Sequence, residues 1–213
     1  ERIEKRKRQC IENYTRTEKA KANAKRMAES MWGYAKPEIH PYLLSKGLNK
    51  AYGTRMLEPR LLVPLMDVKG DLVNLQRIYP DGSKRFLKGG ETDTVYFGIQ
   101  GYGKPYICEG FATGATIHEL TGNTVFCAMN TRNMMSVAVA FRRHKPIIAA
   151  DNDHETRIRG KLVNPGLSVG MKISHELRLP LVYPVGAGTD FNDLWREVGD
   201  KECLKQLKFK VTM

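Results

Sequence analysis

PYICEGFATGATIHELTG, residues 105–122, changes its period in the middle. An apolar run ends abruptly at Glu109-Gly110. The next eleven positions then carry small and apolar residues at helical spacing, closed by Gly122, so a strand feeds directly into a helix. The same alternation continues downstream. NTVFCAMN (123–130) reads as a strand and RNMMSVAVAFRRH (132–144) as a helix. PIIAADND (146–153) reads as a strand, GLSVGMKISHELR (166–178) as a helix and LPLVYPV (179–185) as a strand. DFNDLWREVGDKECLKQLK (190–208) reads as one helix or two. Short apolar strands separated by helices predict an α/β layer built on a largely parallel sheet.

Upstream the rhythm differs. LLVPLMDV, LVNLQRIYP and KRFLKGG are three strand-like runs, separated by turns at Gly70 and Asp81-Gly82, and predict antiparallel hairpins. PEIHPYLLSKGLNKAY (37–52) reads as a short helix or turn. Residues 1–35 contain no proline and place Ile3, Cys10, Ile11, Tyr14, Met27, Met31 and Trp32 at roughly helical spacing. They predict a basic helix serving as a linker, an arm on nucleic acid, or a solvated helix with one face on the body. The expected organisation is therefore α+β overall: a helical arm (1–35), an antiparallel subdomain (36–102) and an α/β domain with a terminal helix (103–213).

Composition bounds the partners. The 213 residues carry 35 Lys+Arg against 23 Asp+Glu, a net charge of +12, which favours a polyanion such as nucleic acid. No apolar run reaches the roughly 18–20 residues of a membrane span, and no signal peptide is evident. The four cysteines are widely spaced with no C-x-x-C pair, which argues against structural zinc and disulfides and for a reducing, cytoplasmic setting. The chain opens on Glu1 rather than Met, as a piece of a longer protein would.

Against this basic background, acids gather at strand ends: Glu109 after PYIC, Asp151 and Asp153 after PIIAA, and Asp190 after LPLVYPV. Carboxyl ends of parallel strands are where α/β folds place function. In extended chain Asp151 and Asp153 share a side while Asn152 turns away, so both can reach one ion. Oxygen ligands of this kind suit Mg²⁺ or Mn²⁺. Gly110 lets a phosphate approach the helix N-terminus that follows. The competing reading is that these acids are helix N-caps. His40, His118 and His175 read as structural, Trp32 and Trp195 as helix anchors, and Arg142, Arg143 and His144 as complements to a helix dipole.

CEGFATGATIHELTG, then IIAADND, then TDFNDL together resemble a Toprim domain, the metal-binding fold of bacterial-type primases and topoisomerases. EGFATGAT is similar to the EGYATA signature of primases from conjugative plasmids and satellite phages. Residues 59–90 resemble the basic subdomain that precedes Toprim in replicative primases. The resemblance implies a DNA primase that makes short primers on single-stranded DNA from nucleoside triphosphates with Mg²⁺ or Mn²⁺. Glu109, Asp151 and Asp153 would be catalytic metal ligands, with Asp190 a further ligand. Arg77, Lys84, Arg85, Gly110, Asn192 and His154 would meet nucleotide or DNA, and a helicase or an upstream zinc-binding domain would be partners.

The sequence departs from the family at three points. Thr113 stands where replicative primases carry another acid, HETRIRGKLV (154–163) is a basic insertion after the D-x-D, and no zinc module is present. Two rivals remain open at this level: a Toprim nuclease, with water replacing the hydroxyl, and a non-catalytic single-stranded DNA-binding module.

Overall fold

The computed structural model describes residues 2–153, 157–158, 161–186 and 190–208. Helix α1 (Arg2–Tyr34) is set by its composition and by spaced ion pairs, Glu4 with Lys7 at 3.9 Å and Glu18 with Lys21 at 3.5 Å. Only its later turns pack on the body: Ala24 and Ala28 are buried against Leu62, Leu75 and Leu87, while residues 2–19 are exposed throughout. Trp32 fixes this end, with the Arg55 guanidinium 4.5 Å above its ring and donating to its carbonyl at 2.9 Å.

Helix α2 (Pro41–Ser45) is capped by buried His40, whose Nδ1 accepts from the Tyr42 N–H at 3.1 Å. That fixes the tautomer, so its Nε2–H donates to the Pro59 carbonyl at 3.0 Å, and the histidine is structural as its sequence context suggests. Strands β1 (Arg55–Leu57), β2 (Arg60–Met66), β3 (Leu72–Ile78) and β4 (Lys84–Phe86) form an antiparallel sheet in that order. Gly70 and Gly82 both take positive φ in the two hairpin turns.

The second sheet contains β5 (Phe97–Ile99), β6 (Tyr102–Cys108), β7 (Asn123–Cys127), β8 (Ile147–Ala149) and β11 (Leu181–Val182), in the order β11-β8-β6-β7-β5. A two-residue hairpin, β9 (Arg157–Ile158) with β10 (Lys161–Leu162), lies in the basic insertion. All neighbours are parallel except β5, which runs antiparallel to β7. This strand precedes residue 103, so the second sheet draws on chain from both sides of the boundary expected from sequence.

Helices cover both faces, which is why these strands are apolar without alternation. α3 (Phe111–Thr121) and α6 (Phe191–Lys208) lie on one face, over Tyr106, Cys108, Ile147 and Ala149. α4 (Thr131–Phe141) and α5 (Pro165–Leu177) lie on the other, over Ile107, Ile148 and Leu181. The first core continues without a break into Leu61, Val63, Leu65 and Ile78 of the antiparallel sheet. A backbone bridge, Met66 to Tyr96, ties the two sheets with hydrogen bonds of 2.8 and 3.0 Å. α6 breaks at Gly199 (φ 76°, ψ 178°), which answers the question of one helix or two. Among the described residues, no helix is long and apolar enough to cross a membrane.

Candidate active site

The parallel strands deliver their carboxyl ends to one pole, and the acids follow. Glu109 leaves β6, Asp151 leaves β8, and Asp190 stands just ahead of α6. Asp151 is largely enclosed, and its Oδ1 is buried with no hydrogen-bond partner. Burial, then repulsion from Asp190, Glu109, Asp153 and Asp193, pushes its carboxyl up to about 8. Glu109 is raised too, by burial first and by Asp153. The hydroxyl of Thr131 opposes that rise by donating to Glu109 Oε2 at 2.6 Å, and so does the positive charge of Lys84.

Asn152 turns away from the acids, as the alternation requires. Its Nδ2 donates to the Pro184 carbonyl at 2.8 Å, and its Oδ1 accepts from Asn164 Nδ2 at 2.7 Å. Asn164 in turn caps α5. Asp190 combines the two roles left open by the sequence. Its Oδ1 accepts from the N–H groups of Asn192 (2.7 Å) and Asp193 (2.9 Å), so it caps α6 while adding charge beside Asp151. Gly110 is the N-cap of α3, and a Cβ there would meet only Thr113 Oγ1, at 3.8 Å. The protein's own atoms therefore do not demand glycine, which leaves space for a ligand.

Three expected contacts are relocated. Asn192 is fully buried, donating to the Lys46 carbonyl (2.9 Å) and Thr116 Oγ1 (2.8 Å). It joins α2, α3 and α6 and is not available to a nucleotide. Arg77 and Arg85 stand opposite one another in the β3–β4 register, on the face that Leu75 and Leu87 turn toward α1. Strand alternation sends Lys84 to the other face, toward the acids, so the basic residues of this hairpin split between two surfaces. Arg77 donates to the Phe86 carbonyl at 3.1 Å. His154 lies outside the described residues.

Sequence reasoning missed two members of the site. Thr131 is the first residue of α4, and only the adjacency of β6 and β7 brings that helix start to Glu109. Lys46, at the end of α2, holds its Nζ 3.8 Å from Asp193 Oδ1. It also lines, with Tyr42, Ser45, Asp81 and Lys84, a cavity of about 330 Å³.

Among the described residues no three His, Cys, Asp or Glu side chains close on a common point. The donors are hard oxygens, and the orphaned Asp151 Oδ1 amid mutually repelling acids fits a divalent cation.

Residues 104–201 match the family described as Toprim domain. The chain resembles DNA primases in sequence and in fold. It is 29% identical over 174 residues to the DNA primase TraC of Escherichia coli, covering 76% of this chain but only 16% of that protein. Among solved structures it resembles the RNA polymerase domain of Mycobacterium tuberculosis primase DnaG, with a TM-score of 0.58 and 14% identity over 93% of this chain and 84% of that one. It also resembles a chain of the bacteriophage T7 lagging-strand DNA polymerase complex with primase domains bound to an RNA/DNA hybrid and dTTP. There the TM-score is 0.58 and the identity 15%, over 80% of this chain and 92% of that one. The antiparallel sheet and the mixed sheet, with the helices that flank them, match the primase fold.

Proposed function

We propose that this chain is the catalytic core of a DNA primase, joining nucleoside triphosphates into short primers on a single-stranded DNA template. One observation carries the reading: the orphaned carboxylate oxygen of Asp151 sits among acids that burial and repulsion make costly, and one of those acids, Glu109, feels the positive charge of Lys84 from the other sheet. A site that repels anions when empty and is flanked by ammonium groups is built for a cation and a polyphosphate together.

Asp151 and Asp153 would hold Mg²⁺ or Mn²⁺, with Glu109 at its edge and the second oxygen of Asp190 in reserve. The bound ion would neutralise the carboxylates and polarise the α-phosphate. Glu109, raised from its ordinary value by burial, is suited to take the proton of the attacking 3′-hydroxyl. Thr131 orients it. Lys84 and Lys46 would neutralise the triphosphate. The T7 complex supports nucleic acid and nucleotide as partners, and a helicase and a zinc-binding domain belong to the same proposal.

The test incubates the protein with single-stranded DNA, labelled nucleotides and Mg²⁺ or Mn²⁺, beside Glu109→Ala and Asp151→Asn. New oligonucleotides that disappear in both variants are expected. Shortened template would assign the site to a nuclease. Binding that is indifferent to Mg²⁺ and to both substitutions, with nothing made or cut, would leave only a DNA-binding module.

A further inference from the structure

The pole opposite the acids has the reverse charge. Four parallel strands of the second sheet begin there, and three of them, adjacent in the order β11-β8-β6, carry basic residues at or just ahead of their starts: Lys104 in β6, Arg142, Arg143, His144 and Lys145 ahead of β8, and Arg178 ahead of β11. The register makes them neighbours. Tyr106 pairs with Ile147 and Leu181 pairs with Ile148, so Lys104, Lys145 and Arg178, two to three residues earlier, stand at the same end of three adjacent strands. All six side chains are exposed, and among the described residues none takes part in an ion pair.

The α4 dipole explains only part of this cluster. Arg142 and Arg143 end that helix and complement it. Lys145 and Arg178 need another reason, because both hold left-handed backbone, with φ of 47° and 52°. Each ends a helical segment and turns the chain into the next strand. The equivalent turn from α3 into β7 uses Gly122, with φ 68°, the residue that suits this conformation. Two of three equivalent turns thus place a long cation where glycine is favoured, and that choice sacrifices stability for a surface charge.

We infer that this pole is a second nucleic-acid contact, which grips the phosphodiester backbone independently of sequence and of metal. Adjacent strand starts are roughly 4.8 Å apart, so three of them span about 10 Å, the axial rise of about three phosphates along one strand. Tyr102, 88% exposed at the start of β6, adds an aromatic face beside these cations. That feature favours nucleic acid over an acidic protein. The contact goes beyond the primer-synthesis reading and stands apart from it, because it needs neither the acids nor their ion.

The test measures binding of fluorescein-labelled twenty-nucleotide oligothymidylate in EDTA, across a salt series, for the full chain and for Lys145→Gly/Arg178→Gly. The expected result is a roughly tenfold loss of affinity at low salt and a log–log salt slope shallower by about 1.4, with Tm unchanged or raised. A control removes the same charge from exposed α1 through Lys7→Gln/Arg16→Gln. Affinity and slope within twofold of the parent for the glycine variant would overturn the proposal, and so would an equal loss in the control. Displacement of the oligonucleotide by poly-L-glutamate at equal charge would assign the pole to acidic protein and overturn it as well.

Discussion

The Thr131 hydroxyl donates to Glu109 Oε2 at 2.6 Å, joining the first turn of α4 to the end of β6. Glu109 thereby gains a fixed orientation in a site where its neighbours repel it. Thr131→Val removes a hydrogen bond to a charged group, an interaction of about 1.5–3 kcal/mol. Primer synthesis should fall roughly 10- to 100-fold, with Thr131→Ser close to the parent. Equal activity in Thr131→Val would remove the residue from the site.

The titration of Asp151 gives the metal-free protein a defined pH response. Its carboxyl sits at about 8 in the folded chain, against about 3.9 when unfolded. Between those values the folded state keeps a proton that the unfolded state releases, so this group's contribution to stability declines as pH rises and is least above 8. Asp151→Asn should match the parent near pH 4 and exceed it above pH 8 by a few kcal/mol, on the order set by such a shift. Melts in EDTA check the sign. Mg²⁺ at pH 8 should raise the Tm of the parent and not that of the variant.

Gly114 lies inside α3 against the two buried thiols of the sheet, where an added Cβ would overlap Cys127 Sγ and meet Cys108 Sγ at 3.2 Å. The thiols are themselves 3.8 Å apart, so neither has room to withdraw. Gly114→Ala should destabilise the protein by about 1–3 kcal/mol. The double variant Gly114→Ala/Cys127→Ala should recover part of the loss, since it returns volume to the same spot. Denaturant midpoints measure both.

Asn192 separates a structural role from a binding role. Asn192→Leu breaks two buried hydrogen bonds and orphans the Lys46 carbonyl and Thr116 hydroxyl. A loss of about 2–4 kcal/mol is expected, or a Tm drop of roughly 5–15 °C. Where the variant remains folded, its nucleotide KM should be that of the parent. A raised KM with unchanged Tm would return Asn192 to the nucleotide site.

The βα rhythm was legible because the second sheet is buried on both faces, so each strand is a bare apolar run between helices. β1 and β5 were not. At three residues each, they carry no period and are defined by their partners β2 and β7. The acids were legible for the related reason that parallel strands deliver their ends to one pole. The basic residues were not, because Arg77, Lys84 and Arg85 look alike in sequence until pairing assigns each a face. Thr131 and Lys46 enter the site through strand order and helix packing, which no local pattern in their own segments records.

The Met66–Tyr96 bridge, with a hydrophobic core running through both sheets, also governs how the molecule can move. To spread the backbone of one sheet from the other would mean breaking that bridge and exposing Leu65, Val95 and Phe97, all buried. The separation between the two sheets is therefore fixed at folding, and only the flexible stem of Lys84 is free to adjust to a ligand. The amides of Met66 and Tyr96 should exchange with solvent only on the timescale of global unfolding. A ligand seated on these acids would meet a backbone frame that is already set before it arrives.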